Sequence, residues 1–358
     1  MIHRKQYRVA AGVTIMALAL TLTACGTQEN TGSTESVKSA ETVENTETVE
    51  SIETMENTET VKGIETMEST ETIENVEIIE AMVSESAAPQ ETANVTPQMQ
   101  PVEYTDLQQI TLDPNWEYAD HSKINTGAAV LYPAPEESGR KGIVIGVNAG
   151  HGTAGGAKVK TLCHPDGSAK VTGGSTAAGA TEAAAVSGGM TFQDGTPERE
   201  VTLRMAQILR DKLLTSGYDV LMLRDSEDVQ LDNVARTVIC NNVANCHIAL
   251  HWDSGDGKNY DKGCFYISVP EALKTMEPVA SHWQQHDTLG TDLVEGLREQ
   301  GAMIYGKGNM SIDLTQTSYS TIPSVDMELG NAYSDHSDEV LEQLATGLLA
   351  GINTYFEQ

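Results

Sequence analysis

Four residues that could carry out metal chemistry lie far apart along this chain of 358 residues. They are His151 in AGHG, Glu198 in TPERE, His251 in IALHW and Glu328 in VDMELG. Two imidazoles and one carboxylate make a zinc site with three protein ligands, whose fourth position stays open for water. A second carboxylate can then transfer protons. Together the four residues outline a metallohydrolase.

The helix expected near Glu198 places this residue on its buried side. Thr196 is a suitable N-cap and Pro197 a suitable first helical residue. Apolar residues at helical spacing form a stripe that includes the position of Glu198, whereas Glu200 faces water. A buried carboxylate is costly unless a positive group compensates it. Zinc could be that group, and so could a basic side chain such as Arg199.

Strand alternation in HIALH puts His247, Ala249 and His251 on one face. His247 is therefore a rival ligand, but four residues of strand span about 13 Å, so the two histidines cannot bind one metal ion. The strand's exit favours His251, although a histidine there can also serve only as a hydrogen-bond partner of a loop. His282 and His286, one helical turn apart, form a weaker alternative pair, which we expect at the surface.

The sequence around His151 and Glu328 indicates how these two side chains are presented. Gly150 and Gly152 flank His151, which lets the backbone turn sharply and leaves the ring unobstructed. In the final strand, Asp326 and Glu328 share one face and lie about 7 Å apart along the chain. A buried acidic face needs a metal ion, a proton or an arginine as compensation.

These motifs resemble the zinc-dependent N-acetylmuramoyl-L-alanine amidases of the type 3 family, which cleave peptidoglycan. The resemblance runs from about Ile143 to the C terminus, through AGHG, the G-x-x-E-R helix start, GYDVLMLRD, LDNVARTVICNNVANCHIALHWD and PSVDMELG. It implies that His151, Glu198 and His251 bind Zn²⁺ and that Glu328 is the catalytic carboxylate. It also implies peptidoglycan as the partner, cleaved between N-acetylmuramic acid and L-alanine.

The chain departs from the family pattern around these residues. The family usually has Asp where Asn148 stands, a small residue and Asn at the positions of Trp252 and Asp253, and an apolar residue at Asp326. No departure affects a proposed ligand. We expect Asn148, Arg199 and Asp326 to support the ligands rather than to bind the metal.

The segment 153–195, rich in Gly, Ala, Ser and Thr, is longer than the loop expected there and is a candidate lid.

Two alternatives to the amidase interpretation stay open. One is another zinc-dependent hydrolase of the cell wall, and the other is a wall-binding lipoprotein without turnover. The four intact polar residues argue against the second alternative, because binding alone does not require metal ligands.

The length after residue 106 suits one α/β domain with a central, mostly parallel or mixed sheet flanked by helices. We expect an irregular leading edge over 107–142, onto which Trp116 and Tyr118 pack, and the catalytic domain over 143–358. The predicted strands are 143–148, 219–224, 247–251, 264–269 and 324–329, and the predicted helices are 197–216, 229–243, 276–300 and 337–356.

The N terminus predicts a lipid anchor. Arg4, Lys5 and Arg8 precede an apolar run over 9–22, and the sequence LTACG then follows. This pattern is typical of a bacterial lipoprotein signal over 1–24, with Cys25 as the lipidated residue, and an ordinary signal peptide is the alternative. We expect a protein held at the outer face of the cell membrane by its lipid.

Seven hexapeptides of the type ETVENT follow one another from Glu41 to Met82. A period of six matches no helical repeat, so no face can be buried, and the glutamates repel one another. The segment 25–106 is therefore predicted to be a disordered stalk. From Gly26 to Asp106 it spans about 50 Å as a flexible coil and about 260 Å fully extended, enough to reach into the cell wall.

The formal net charge of −30 argues against nucleic acid as a partner.

Four cysteines remain after lipidation: Cys163, Cys240, Cys246 and Cys264. An exported domain permits disulfides between them in three connectivities, whereas none has the spacing of a zinc site. Both paired and free thiols are compatible with the sequence.

Overall fold

The computed structural model describes residues 106–254 and 257–357. The predicted signal peptide, Cys25 and the hexapeptide repeat lie outside the described residues. Within those two ranges, no helix combines the length and the apolar character needed to cross a membrane.

A mixed sheet of eight strands forms the centre of the domain. The strands are β1 (Gln108–Ile110), β2 (Ala129–Tyr132), β3 (Val144–Ala149), β6 (Asp219–Met222), β7 (Cys246–Asp253), β8 (Cys264–Ser268), β9 (Ile304–Ser311) and β10 (Ser324–Asn331). Their order in the sheet is β1-β2-β6-β3-β7-β10-β8-β9. The four middle strands, β6, β3, β7 and β10, are parallel, and β2 and β8 join them in antiparallel pairing. A separate two-stranded hairpin consists of β4 (Lys160–Leu162) and β5 (Glu182–Ala184).

Helices cover both faces of the sheet, so the predicted α/β class is confirmed. The helices are α1 (Glu198–Thr215), α2 (Asn233–Val243), α3 (Val279–Glu299), α4 (Thr315–Tyr319) and α5 (Asp338–Phe356). Helices α1, α3 and α5 pack into the main core on one face, and α2 packs against α4 on the other.

Side-chain alternation along β7 and β10 separates this core from the polar residues. Ile248, Leu250 and Trp252 join Val325 and Met327 in the core beneath α1, α3 and α5. The intervening residues of both strands point to the opposite face, as the period of two requires. The polar residues therefore gather on one face, near the carboxyl ends of parallel strands, where ligand sites of such sheets form.

The helix starts differ from the predictions by one to four residues, and groups outside the helices hold the first turns of α1 and α2. Helix α1 begins at Glu198 with Pro197 as N-cap, not at Pro197 with Thr196, because the Glu198 N–H donates to the main-chain oxygen of Met190. Helix α2 begins at Asn233, not at 229, because Asp232 caps it.

Three expectations from sequence are wrong in part. The leading edge 107–142 is not wholly irregular, because β1 and β2 extend the sheet through pairing with β6. Strand β9 was not predicted, because this edge strand is mostly exposed and contains few apolar residues. His286 is buried rather than at the surface, since α3 packs over β10 and the imidazole Nδ1 accepts a hydrogen bond from the Ser324 N–H at 2.9 Å.

All four cysteines of the described domain are buried and free. Cys163 lies in the segment 153–195, which we call the insert, and the other three lie in β7, β8 and α2. Burial raises the pKa of the Cys246 thiol, which favours the uncharged form. The thiols therefore contribute to packing.

Candidate metal centre and its cleft

Three of the predicted residues converge although they come from three separate elements. His151 follows β3, Glu198 begins α1 and His251 lies in β7. One ligand atom from each lies within 4.8 Å of the others. Among residues 106–254 and 257–357, this is the one group of at least three such side chains with that geometry. We call these three residues the ligand cluster.

The separations within the ligand cluster fit a single metal ion. His151 Nε2 lies 2.9 Å from Glu198 Oε1, and His251 Nδ1 lies 3.1 Å from His151 Nε2 and 3.2 Å from Glu198 Oε1. Zinc bonds of about 2.1 Å in tetrahedral geometry would place such atoms about 3.4 Å apart. A small outward movement of the three side chains would therefore admit the ion. The donor set itself, two imidazoles and a carboxylate, is typical of catalytic zinc.

Two glycines leave the room that the ligand cluster needs. A Cβ atom at Gly150 would lie 2.3 Å from the His251 ring. A Cβ atom at Gly189 would lie 2.9 Å from the His151 ring and 3.0 Å from Glu198 Oε2, and the φ of Gly189 is +81°. Any larger residue at either position would collide with a ligand.

The backbone at His151 adopts a left-handed conformation, with a φ of 66°, which is uncommon for residues other than glycine. The ring Nδ1 lies 3.0 Å from the main-chain oxygen of Ser187. Donation from Nδ1 to that oxygen leaves Nε2 without a proton and free to bind a metal ion. The Ser187 carbonyl lies in the insert, so the insert orients the His151 ring.

Two buried arginines hold the turn that carries His151. Arg236 Nη2 donates to the main-chain oxygen of His151 at 2.7 Å, and Arg224 Nη2 donates to that of Gly150 at 3.0 Å. Burial lowers the pKa of Arg224 to about 10 and that of Arg236 to about 9. Both guanidinium groups thus stay charged at neutral pH and compensate the carbonyl oxygens of a strained turn.

Glu198 is 2 % exposed and receives hydrogen bonds on both carboxylate oxygens. The Trp252 N–H donates to Oε1 at 3.0 Å and the Met190 N–H donates to Oε2 at 2.8 Å. Burial alone would raise the pKa of Glu198, but hydrogen bonds and charges from His151 and His251 outweigh it and lower the pKa below its ordinary value. Glu198 is therefore ionised and could bind a metal ion.

His251 faces carboxylates on both sides of its ring. Its Nδ1 belongs to the ligand cluster, and its Nε2 lies 3.7 Å from Asp326 Oδ2. Burial alone would lower the pKa of His251, but Asp326, Glu198 and Glu328 raise it to about 10. The imidazole thus carries a proton in the metal-free protein, and a bound cation would take the place of that proton.

Glu328 and Asp326 enter the same cleft from β10. Glu328 lies beside His251 in the parallel register of β10 and β7. Burial raises the pKa of both carboxyl groups, and for Glu328 the charge of Asp326 raises it further. Asp326 Oδ1 and Glu328 Oε2 are buried without a hydrogen-bond partner among the described residues. Orphaned polar atoms of this kind are costly, so the site is built for a ligand.

The structure also shows the contacts of Asn148, His247 and Arg199, the other residues considered from the sequence. Asn148 Nδ2 lies 3.2 Å from His247 Nε2, and Asn148 Oδ1 accepts from Arg236 Nη1 at 3.0 Å. His247, the rival ligand, is thus buried as a partner of Asn148. The structure places the Arg199 side chain outside the cluster, where it is half exposed and 3.5 Å from Glu200. Only the Arg199 main-chain oxygen reaches the site's surroundings, as an acceptor from Arg224.

A cleft of about 630 Å³ opens over the ligand cluster. Residues of the insert line one part of its wall, among them Lys170 and the stretch 187–190, and the connection from β9 to α4 lines another. Ligand sites of small molecules and peptides commonly have this volume. The insert, which was predicted as a lid, therefore contributes part of the cleft wall.

A second buried cluster, which was not predicted, ties the insert to the connection after β9. His164 Nε2 lies 2.9 Å from Asp313 Oδ1, and the Lys170 ammonium donates to the main-chain oxygen of Asp313. We call His164, Lys170 and Asp313 the clamp cluster. His164 and Asp313 are 149 positions apart, so no local pattern in the sequence links them.

Comparisons with known proteins identify the family of this chain. A family model described as N-acetylmuramoyl-L-alanine amidase matches residues 145–352. No match was found among curated proteins. Solved structures similar in fold include the N-acetylmuramyl-L-alanine amidase Ami1 from Mycobacterium smegmatis, with 17 % identity, a TM-score of 0.50 and coverage of 60 % of this chain and 97 % of that one.

Ami1 from Mycobacterium abscessus, in its apo form, is also similar, with 19 % identity, a TM-score of 0.49 and coverage of 60 % of this chain and 99 % of that one. At such identities the structural likeness concerns the fold alone. The family match, by contrast, extends over more than half of the sequence and includes His151, Glu198, His251 and Glu328. The chain belongs to the N-acetylmuramoyl-L-alanine amidase family, whose members cleave the amide bond between N-acetylmuramic acid and L-alanine in peptidoglycan.

Proposed function

We propose that this domain performs the family's reaction with a zinc ion held by His151, Glu198 and His251. The convergence of these three ligand atoms within 4.8 Å, at the base of a cleft that also contains Glu328, carries the proposal. A wall-binding protein without turnover would need the cleft, but it would not need three converging ligands.

The side chains of the site fit zinc rather than a hard cation. Two imidazole nitrogens and one carboxylate oxygen suit zinc, whereas calcium and magnesium prefer sites made of oxygen ligands. When bound, zinc polarises a carbonyl group and lowers the pKa of a water molecule.

Glu328 is the group that moves protons in this proposal. It takes a proton from the attacking water and returns it to the leaving amine of L-alanine. Burial and Asp326 raise the pKa of Glu328 above its ordinary value, which suits a group that must both accept and donate a proton near neutral pH. Asp326 does not take this role, because its Oδ2 is directed to His251 Nε2.

The remaining residues hold the ligands in place. The Ser187 main-chain oxygen fixes the His151 ring, and the Met190 and Trp252 N–H groups fix the Glu198 carboxylate. Such contacts orient metal ligands and restrict their rotation, which keeps the reacting groups aligned.

Mass spectrometry of purified peptidoglycan after digestion by the protein tests the proposal. We expect release of free stem peptides from intact glycan strands. New reducing sugar ends would instead indicate a glycosidase, and unchanged peptidoglycan would favour a binding module. The variant Glu328→Gln is the matched control, since it should bind zinc and release few peptides.

We further propose that the enzyme works from the outer face of the cell membrane. The proposal is supported by the sequence alone: the lipoprotein-like signal that ends before Cys25, and the long acidic stalk that follows it. In this arrangement the lipid on Cys25 anchors the protein, and the stalk lets the domain reach the cell wall.

This location is testable with the variant Cys25→Ala. Once its signal has been cleaved, the variant should leave the membrane fraction, because it lacks the lipid. Membrane retention of the cleaved variant would contradict the lipoprotein proposal without affecting the catalytic one.

A further inference from the structure

Lys170 lies in the wall of the cleft, away from the ligand cluster in sequence but facing the same cavity. Its side chain is 7 % exposed, and it belongs to the insert. A buried ammonium group is costly unless hydrogen bonds and opposite charges compensate it. The partners of Lys170 therefore show what the position is built for.

The described partners of the Lys170 ammonium leave part of it unsatisfied. One of its three N–H groups donates to the main-chain oxygen of Asp313. The Asp313 carboxylate lies 4.0 Å away, at the limit of an ion pair. That carboxylate is already used, because Oδ1 pairs with His164 Nε2 at 2.9 Å and Oδ2 accepts from the Val171 N–H at 2.8 Å.

The other basic side chain of the cleft cannot take this role. All three guanidinium nitrogens of Arg236 donate to the protein: Nε to the Leu231 oxygen, Nη1 to Asn148 and Ala149, and Nη2 to His151 and Thr153. Of the described residues that line the cavity, Lys170 is thus the basic one with donors left for a ligand.

The substrate of the proposed reaction offers a matching anion. In the stem peptide, the residue after L-alanine is a glutamate, whose α-carboxyl group is either a free carboxylate or a carboxamide. This group lies one residue beyond the bond that is cleaved. A cleft that holds the bond over His151, Glu198 and His251 must therefore accommodate the glutamate nearby.

We propose that Lys170 determines substrate specificity by binding this free carboxylate, so that the enzyme prefers stem peptides in the acid form over amidated ones. The inference rests on the proposed function and adds the substrate form to it. The clamp cluster positions Lys170, since Asp313 holds both the ammonium group and, through the Val171 N–H and His164, the segment around it.

Two synthetic muropeptides that differ only in this carboxyl group, acid or amide, test the inference. Because a hydrogen bond between charged groups is stronger than one between neutral groups, the wild type should prefer the acid by about 10-fold or more in kcat/KM. Lys170→Met should abolish the preference by raising KM for the acid form, with kcat little changed. Lys158→Met, which removes an exposed lysine of the same insert, should keep it.

The possible outcomes distinguish this inference from the proposed amidase function. Equal cleavage of both forms by the wild type overturns the role of Lys170 and leaves the amidase proposal standing. A preference that persists in Lys170→Met, with zinc content unchanged, also overturns it. If Lys170→Met fails to fold, Lys170→Gln and Lys170→Arg replace it, and only Lys170→Arg should retain the preference. A wild type that binds zinc but cleaves neither form contradicts the proposed function itself.

Discussion

Two buried groups of histidine and acid side chains among the described residues, the ligand cluster and the His164–Asp313 pair of the clamp cluster, differ in how their polar atoms are satisfied. In the clamp cluster, both oxygens of Asp313 have partners, and His164 also contacts Ser168 at 2.8 Å. Beside the ligand cluster, Asp326 Oδ1 and Glu328 Oε2 have none among the described residues.

The directions of the pKa shifts show the same difference. Burial alone would raise the pKa of Asp313, but hydrogen bonds from His164 and Val171 lower it, so the clamp cluster stabilises its own charge. The pKa values of Asp326 and Glu328 are raised, because burial and the neighbouring acidic charges outweigh the opposing charge of His251 there. The satisfied His164–Asp313 pair therefore serves the fold, whereas the unsatisfied carboxylates beside the ligand cluster are available to a ligand.

Removal of the metal should have the largest effect on turnover. Chelation, or the double variant His151→Ala, His251→Ala, should lower muropeptide hydrolysis by about 1,000-fold or more, because metal activation of water and carbonyl contributes several kcal/mol. Turnover with and without added zinc measures this. If His164→Ala, in the clamp cluster, remained folded but lost zinc-dependent activity to the same degree, the proposed difference between the two clusters would be wrong.

Disruption of the clamp cluster should instead lower stability. Asp313→Ala leaves His164 and Lys170 without their acid, and breaking a buried pair costs about 3–5 kcal/mol. Urea unfolding of the metal-free protein measures the loss. The control Glu200→Ala breaks an exposed pair and should cost at most about 1 kcal/mol. Equal losses in both variants would contradict the structural role of the clamp cluster.

The stability difference at Asp313 should also depend on pH. Because the folded state lowers the pKa of Asp313, its contribution is fully present above the ordinary value of 3.8 and is lost as pH falls through the lower folded value. The gap in unfolding free energy between the wild type and Asp313→Ala should therefore narrow in that acidic range. If this difference in unfolding free energy instead grew below pH 3.8, the folded state would not lower the pKa of Asp313.

Within the site, Glu328 should matter more than Asp326. Glu328→Gln keeps the size and hydrogen bonding of the side chain but removes the proton acceptor, so turnover should fall by about 100-fold or more while zinc stays bound. Turnover at saturating zinc measures the effect. Near-normal activity in this variant would defeat the assignment of Glu328 as the general base.

Asp326→Asn should have the smallest effect on turnover, about 10-fold or less at saturating zinc. Loss of the charge next to Glu328 should lower the pKa of Glu328, so the acidic limb of the pH profile of kcat/KM should move to lower pH. Zinc affinity should fall by about 10-fold, since Asp326 orients His251. A greater loss of turnover than in Glu328→Gln, with zinc bound, would transfer the general-base role to Asp326.

Local patterns in the sequence were enough to predict the faces on which the site residues lie. Helical spacing placed Glu198 on the buried side of its helix, and strand alternation placed Asp326 and Glu328 on one face of β10. These rules work because one face of each helix or strand must be buried. Once that face is known, the periodicity of the element determines on which face every other residue lies. The α/β class followed from the same patterns.

Long-range contacts could not be predicted in this way. The pairing of His164 with Asp313 joins the insert to the connection after β9, and Arg224 and Arg236 are buried against the turn after β3. No single segment of the sequence encodes either arrangement. His286 was misplaced for the same reason, because a helix pattern does not show which strand it covers. The position of Arg236 within the largely apolar run VARTVIC of α2 is a signal that could have suggested a buried arginine.

Metal content tests the central claim most directly. Elemental analysis of the purified protein should give one zinc ion per chain for the wild type and none for the double variant His151→Ala, His251→Ala, with Asp313→Asn retaining its zinc as the matched control. This result would assign the metal to the ligand cluster. Zinc content equal to that of the wild type in a folded double variant would contradict the account.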